Sequence, residues 1–215
     1  VRKLLESVKK GETSVDEALL QIKMAPFEDI GFAKVDLHRK IRQGVAEVIY
    51  GAGKTPEQIA GIIETMRSNG QERILITRMA QEAADYVGKL YELDYRERSR
   101  VGIIGGFPKP DGIGKILVAT GGTTDIPVAE EAALVAESLG NEVVRIYDVG
   151  VSGVHRLLSH MEHIMSATVI VAVAGSGSKM AFTDAEILKC FEHFELVVLR
   201  DLIDGGVGGL QLPMN

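Results

Sequence analysis

A glycine-rich turn ahead of a helical pattern is the first stretch of this chain whose residue types can do chemistry. The turn, Gly121–Asp125, follows the apolar run Ile116–Ala119 and precedes apolar residues at three- and four-residue spacing, so it joins a buried strand to a helix. Gly121 and Gly122 let the backbone approach a ligand closely and adopt positive φ. The helix start offers N–H groups and the positive end of a dipole, which favour a phosphate. The alternative is a capped turn that binds nothing.

Two further loops carry candidate residues. The second loop, Gly150–Arg156, follows the predicted strand Glu142–Asp148, and its His155 and Arg156 open a helical pattern. Histidine can move a proton near neutral pH, and arginine can hold a phosphate or carboxylate. The alternative for this pair is a helix start with exposed polar side chains. The third loop, Gly175–Ser178, follows the apolar run Thr168–Ala174.

A polar cluster near the start of the chain is a separate candidate. Asp36, His38, Arg39 and Arg42 fall within seven residues. Two arginines three apart share one helix face if residues 37–44 are helical. Such a group can recognise an anion, because arginine binds carboxylate and phosphate bidentately. Residue types alone favour the alternative of solvated ion pairs, which are common and weak.

The elements that must position the three loops alternate between strand and helix. Over residues 116–199 this alternation, with near-continuous apolar strands, predicts a three-layer α/β/α arrangement around a parallel sheet. Thr124 or Asp125 is predicted to cap the helix after the first loop, with Pro127 in its first turn. Ligands of such sheets bind at the carboxyl ends of the strands. All three loops are expected at that edge.

The first half of the chain predicts a smaller α/β layer. Residues 1–24 form two short helical patterns, and Ser14 with Glu17 makes a capping box for the second. Residues 27–90 read as strand–helix–strand–helix. Asp94–Arg100 is interpreted as a charged segment, and the apolar residues that follow it as a strand or a connector.

A nucleotide-binding P-loop is rejected for this half. Gly51–Thr55 has the ending of that motif, but the glycine required five positions before Gly53 is Val48. Thr55 is instead predicted to cap a helix, with proline in its first position and Gln58 completing a capping box.

Two domains are predicted from these patterns. Residues 1–106 form the N-terminal helices and the small α/β domain, 107–115 (FPKPDGIGK) form a linker, and 116–215 form the parallel-sheet domain. The charge also divides: residues 1–100 carry a net +1 and residues 101–215 a net −7. The overall net charge of −6 argues against a general nucleic-acid binder.

Composition places the chain among cytoplasmic globular proteins. Hydrophobic residues make up 46% and charged residues 25% of it. A single cysteine, Cys190, excludes an intrachain disulfide and suits a reducing compartment. No apolar run reaches the length of a membrane span, and no signal-peptide core is found at the N-terminus. The first residue, Val1, is compatible with an alternative start codon or a trimmed fragment.

Two groups of motifs resemble known families. The series TGGTTD–IPVAEEAA, YDVGVSGVHRLL and VIVAVAG resembles the carboxyaminoimidazole ribonucleotide mutase domain of purine biosynthesis, which is flavodoxin-like. The segment FAKVDLHRKIRQGVAEVIYGAGKTPEQ resembles the start of the nickel-pincer-nucleotide biosynthesis carboxylase/hydrolase family, which couples such a domain to an N-terminal α/β domain. The second resemblance covers roughly residues 4–175, with both motif groups in the family's order.

The resemblance implies a substrate and a reaction. The family carboxylates the pyridinium ring of nicotinic acid adenine dinucleotide with CO2 or bicarbonate and hydrolyses the phosphoanhydride, with Mg²⁺ associated with the hydrolysis. Its products are AMP and pyridinium-3,5-biscarboxylic acid mononucleotide, and its members form homo-oligomers. Carried over, the resemblance predicts catalytic roles for His155, Arg156 and Asp125, with Asp125 on a ribose hydroxyl. The predicted substrate-binding residues are Gly121, Gly122, Thr123, Thr124, Asp36, His38, Arg39 and Arg42.

The chain departs from the family after about residue 176. Where the family carries a Met-Glu-Gly-Ala-Leu-Pro stretch whose glutamate serves carboxylation, this chain has Ser176–Met180. The family's ring-attacking cysteine lies in a downstream glycine-rich region that is missing here or replaced by Asp201–Asn215. Cys190 lies in an amphipathic helical pattern and is interpreted as a buried core residue rather than a nucleophile. His160, His163 and a third histidine at position 193 do not form a metal-ligand pattern.

Three functions therefore stay open at the level of sequence. The first is the pincer-nucleotide carboxylase/hydrolase. The second is a purine-pathway mutase, against which the 100-residue N-terminal extension argues. The third is a nucleotide-binding remnant without catalysis, favoured by the absent glutamate and cysteine. Each of them predicts a small-molecule nucleotide or dinucleotide as partner and neither nucleic acid nor membrane.

Overall fold

A computed structural model describes residues 2–24, 27–36, 48–175 and 195–200 and shows an α/β protein, as predicted. Its strands are β1 Phe27–Asp29, β2 Lys34–Asp36, β3 Val48–Tyr50, β4 Ile74–Thr77, β5 Leu93–Arg96, β6 Val101–Ile104, β7 Lys115–Thr120, β8 Glu142–Ile146, β9 Val169–Ala174 and β10 Glu195–Arg200. Its helices are α1 Arg2–Lys9, α2 Val15–Met24, α3 Pro56–Ser68, α4 Gln81–Val87, α5 Ile126–Ser138, α6 Val154–Leu158 and α7 Met161–Ser166. None of the helices in the described ranges has the length and apolar character needed to cross a bilayer.

The first sheet is mixed rather than parallel. Its strand order is β3-β4-β6-β5, with β3 parallel to β4 and β6 antiparallel to both of its neighbours. Helices α3 and α4 cover one face, where Ile59, Ile63 and Met66 are completely buried. The predicted strand–helix–strand–helix order is confirmed from β3 to α4. The antiparallel β1–β2 hairpin ahead of it was not predicted.

One prediction for this sheet is wrong. The segment interpreted as merely charged, Asp94–Arg100, contributes most of strand β5. Leu93 and Tyr95 are half-buried there, whereas Asp94 and Arg96 are exposed. This alternation with period two is typical of a strand with one face on the core. Charged residues on the outer face concealed the pattern.

Both predicted capping boxes of the first half are confirmed. Thr55 Oγ1 accepts from the Gln58 N–H at 3.3 Å, and Gln58 Oε1 accepts from the Thr55 N–H at 3.0 Å. The Glu17 carboxylate accepts from the Ser14 N–H at 2.9 Å, and the Ser14 hydroxyl accepts from the Glu17 N–H at 3.1 Å. The hydrogen bonds from Ser14 lower the pKa of the exposed Glu17 carboxyl.

The second sheet is entirely parallel. Its order is β10-β9-β7-β8, so the chain passes from β7 to β8 on one side and then returns to β9 on the other. Helix α5 packs on one face, against a cluster that includes Val118 and Val173, and α6 and α7 pack on the other, against Leu117 and Ile170. The direction of strand order reverses between β7 and β9. In open α/β sheets a ligand crevice lies at such a reversal.

Helix α5 lies between the two sheets and belongs to both cores. Its Leu134 packs with Leu75 and Ile103 of the first sheet, while its Ala129 and Ala133 face the second. The predicted linker at 107–115 ends in the first residue of β7, and residues 105–114 contain neither helix nor strand. Helix α5 is therefore packed between the first sheet and the second sheet.

An ion pair joins the halves at the same helix. Arg78 follows β4 in the left-handed region, with φ of +53°, and its Nε lies 2.6 Å from Glu131 Oε2 of α5. Both side chains are mostly buried. A non-glycine residue with positive φ is uncommon, and here it aims the guanidinium across to the second half.

Candidate functional site

The first two predicted loops and Gly175, the one described residue of the third, lie at the carboxyl edge of the second sheet. The Gly121 N–H donates to the Val173 carbonyl at 3.2 Å, which joins the first loop to the end of β9. The completely buried Thr120 Oγ1 accepts from the Asp148 N–H at 2.9 Å, and the Thr120 carbonyl accepts from the Val149 N–H at 2.9 Å. These bonds fix the first loop against both of its neighbours.

Asp125 joins the first and third loops from inside the protein. Its side chain is 1% exposed, and its two carboxylate oxygens accept from the Gly122 N–H at 3.1 Å and from the Gly175 N–H at 3.0 Å. Asp125 occupies the N-cap position of α5, one of the two predicted alternatives, but its side chain makes no bond to the N–H groups of this helix. Asp125 is a positioning residue in this structure, and its contact with a ribose hydroxyl stays a prediction.

The glycines of the first loop do not have the predicted conformation. Neither Gly121 nor Gly122 has positive φ, and Gly122 is extended, with φ of −141°. The prediction that these glycines adopt positive φ is therefore wrong. The prediction that they let a ligand approach the backbone closely stays a prediction. Thr123 and Thr124, in the single 3₁₀ turn that follows, are exposed. Pro127 lies in the first turn of α5, as predicted.

His155 and Arg156 lie in the first turn of α6, and a third residue joins them. Arg156 Nη1 donates to the Asp148 carboxylate, and the two side chains are 50% and 40% exposed. Asp148 has φ of +60°, and the Arg156 guanidinium lies over Gly153, where a Cβ would make it shift. His155 is exposed, and the described residues provide no hydrogen-bond partner for its ring. Asp148 was missed by the sequence analysis, although an acidic residue directly after a parallel strand was a usable signal.

A polar network beside α5 was also missed. Arg145 of β8 makes two hydrogen bonds to the Glu137 carboxylate, at 2.6 and 2.8 Å, and its Nε donates to Glu130 at 3.3 Å. The Tyr147 hydroxyl donates to the same Glu130 carboxylate at 2.8 Å. Bonding to Glu137 raises the pKa of the Arg145 guanidinium, and burial followed by the bond to Glu130 raises the pKa of the Tyr147 phenol. No local pattern links these residues, which come from a helix and a strand.

The described residues do not provide a metal site by themselves. Within the ranges that the structure describes, no three His, Cys, Asp or Glu residues are grouped to hold an ion. Magnesium commonly binds through one or two carboxylates together with substrate phosphates. The Mg²⁺ implied by the resemblance stays a prediction.

Most of the N-terminal cluster, and the cysteine, lie outside the residues that the structure describes. Asp36 ends β2, and His38, Arg39, Arg42 and Cys190 lie outside the described residues. Their roles stay predictions, as does the change of pattern after residue 176.

Comparison with known proteins supports the resemblance in the first half. Residues 27–105 match the family described as the LarB/PurE-like N-terminal domain. The chain is 35% identical over 184 residues to the uncharacterized protein MJ0165 of Methanocaldococcus jannaschii, a match that covers 81% of this chain and 72% of that protein. A match of that length extends beyond the first sheet into the second, although the relative's name states no activity.

Proposed function

Because the chain belongs to the LarB/PurE-like family, an enzymatic family, we propose that it carboxylates and hydrolyses nicotinic acid adenine dinucleotide. The pyridinium ring gains a carboxylate from CO2 or bicarbonate and loses a ring proton. Water cleaves the phosphoanhydride. The products are AMP and pyridinium-3,5-biscarboxylic acid mononucleotide, a precursor of the nickel-pincer cofactor. The match of residues 27–105 is the observation that carries this proposal.

The geometry of the carboxyl edge is compatible with a phosphate-bearing substrate. The crevice between β7 and β9 is the position where open α/β sheets bind ligands. Thr123 and Thr124 are exposed beside it, ahead of the 13-residue helix α5, whose N-terminal end favours an anion. The hydrogen bonds of Asp125 hold this turn in place before a ligand arrives, and such preorganisation lowers the cost of binding.

Arg156 and His155 supply the charged groups of the proposed site. The Arg156 guanidinium has further N–H donors beyond the one bonded to Asp148, and these can hold a phosphate or the ring carboxylate. Asp148 orients that guanidinium. His155 is close along the chain and can exchange a proton with solvent or with the leaving phosphate. No step is assigned to Mg²⁺, because the described residues alone do not form a site for it.

Incubation with the dinucleotide, isotopically labelled bicarbonate and Mg²⁺, followed by mass spectrometry, tests the proposal. The expected result is AMP together with a biscarboxylated mononucleotide that contains the label. Turnover of carboxyaminoimidazole ribonucleotide alone would instead favour the purine-pathway mutase. Binding of the dinucleotide without any product would favour the non-catalytic alternative, and either result would overturn the proposal.

A further inference from the structure

A cleft of about 800 Å³ separates the turn after β5 from α5 and β8. Its lining includes the aromatic residues Tyr95, Phe107 and Tyr147 and the aliphatic residues Ile126 and Leu134. Small-molecule sites are commonly clefts of this size between two parts of a protein, with apolar and aromatic walls and a few polar groups. The walls here come from both halves of the chain.

The cleft adjoins the carboxyl edge of the second sheet. Ile126 directly follows Asp125, and Tyr147 directly precedes Asp148, so two lining residues are chain neighbours of residues at that edge. A ligand with two parts, one at the edge and one in the cleft, is therefore compatible with the fold. A dinucleotide is such a ligand.

The polar groups of the cleft come from two parts of the chain, α5 with the end of β8 and the turn after β5. On one wall Glu130 and Glu137 are held by Arg145 and Tyr147, and each carboxylate keeps oxygen lone pairs able to accept from hydroxyl or amino groups. On the other wall Arg98 is exposed, and no ion pair to it is found among the described residues. The first wall offers carboxylate acceptors beside Arg145, and the second offers the Arg98 cation, next to Glu97, for a phosphate.

We propose that this cleft binds the adenylate half of a dinucleotide, a step that rests on the proposed function for the identity of the whole substrate. The adenine ring lies against the aromatic side chains, because every base has a face that stacks on aromatic groups. Glu130 and Glu137 accept from the exocyclic amine and the ribose hydroxyls, and Arg98 holds the 5′-phosphate. The other half of the dinucleotide then lies at the glycine turn.

Calorimetric titration with AMP tests the site independently of catalysis. Arg98→Ala is expected to weaken AMP binding about tenfold, the effect of losing one charge-assisted hydrogen bond. Lys89→Ala, which removes an exposed cation outside the cleft, is the matched control and is expected to bind as wild type does. Gly122→Val is expected to keep AMP affinity. Thermal melts of all three variants check that they fold.

Three results would overturn the inference. They are an absence of AMP binding to the wild type, equal affinity in Arg98→Ala and Lys89→Ala, and loss of AMP binding in Gly122→Val alone. Photolabelling with 8-azido-AMP provides a second measurement that needs no variant. Label on the side chains of Tyr95 or Tyr147 themselves, located by fragmentation of the labelled peptides, supports the cleft, and label confined to other residues refutes it.

These outcomes separate the inference from the proposed function. AMP in the cleft without turnover of nicotinic acid adenine dinucleotide supports the cleft and overturns the reaction. Turnover with label confined to peptides outside the cleft supports the reaction and overturns the cleft.

Discussion

Two strand–turn–helix units in this chain have similar sequences and different internal contacts. The first joins β3 to α3 through Gly51–Thr55, and the second joins β7 to α5 through Gly121–Asp125. Each has glycines, a polar residue before the helix and a proline in its first turn. Among the described residues, the Thr55 side chain bonds only to its own helix, three residues on, whereas the Asp125 side chain bonds to Gly175, fifty residues away. The first unit is stabilised locally, and the second holds a sheet edge together.

The glycines of the two turns differ in the same way. Gly53 has φ of +75°, a conformation that only glycine adopts without strain, and a Cβ there would meet no atom within 4 Å. Gly122 is extended, a conformation open to any residue, but its N–H is bonded by Asp125. The first glycine is required by the backbone itself. If glycine is required at position 122, the reason must be a ligand or another group that approaches its backbone closely.

Removing the side chains of Asp125 and Thr55 gives the sharpest test of this comparison. Asp125→Ala is expected to lower the free energy of unfolding by about 2–4 kcal/mol, because it leaves two partly buried amides, those of Gly122 and Gly175, without their charged acceptor. Thr55→Ala is expected to cost about 1 kcal/mol, the usual effect of losing a helix cap. Urea denaturation measures both. Equal losses in the two variants would mean that the long-range role of Asp125 has been overstated.

Substitution of the glycines should separate stability from binding. Gly53→Ala is expected to lose about 1–2 kcal/mol of stability, since alanine is strained at positive φ. Gly122→Ala should change stability by less than about 0.5 kcal/mol, as extended backbone accepts a side chain. Gly122→Val should nevertheless weaken binding of nicotinic acid adenine dinucleotide, read by calorimetry. Wild-type affinity in folded Gly122→Val would remove the turn from the site.

The difference between the two units also explains what could be predicted from sequence. The cap of α3 depends on Thr55 and Gln58, three residues apart, so the local sequence pattern was sufficient to predict it. The role of Asp125 depends on β9 returning beside β7, so no window around Asp125 contains its partner Gly175. The carboxyl edge was predicted because alternating strands and helices fix the topology of a parallel sheet. The Arg145 network was not predicted, because it depends on how α5 packs across β8.

Alkaline titration tests the long-range contacts of α5 by a different property. The pKa of Tyr147 is raised in the folded protein, first by burial and then by its bond to Glu130. A raised folded pKa stabilises the protein below the unfolded pKa of about 10, and that contribution is lost as pH rises further. Wild type should therefore lose more stability above about pH 10 than Tyr147→Phe does. Parallel pH profiles for the two proteins would show that the phenol is not coupled to folding.

A small change in stability is also expected at Arg156, which belongs to the candidate site rather than to the core of the fold. Arg156 and Asp148 are about half exposed, and exposed ion pairs contribute about 0–1 kcal/mol, so Arg156→Ala should melt close to wild type. Lys115→Ala is the matched control. Lys115 pairs with Glu142 at 2.9 Å at the amino ends of β7 and β8, away from the carboxyl edge where Arg156 lies.

Both variants lose one exposed ion pair, but only Arg156 lies where the sheet is expected to bind an anion. Calorimetric titration should show about tenfold weaker binding of nicotinic acid adenine dinucleotide in Arg156→Ala and no change in Lys115→Ala. Arg156→Lys should recover part of the affinity, because lysine keeps the charge without the planar fork of donors. Equal affinities in the two alanine variants would leave Arg156 as a surface ion pair, and the second strand–turn–helix unit would then differ from the first in its packing alone.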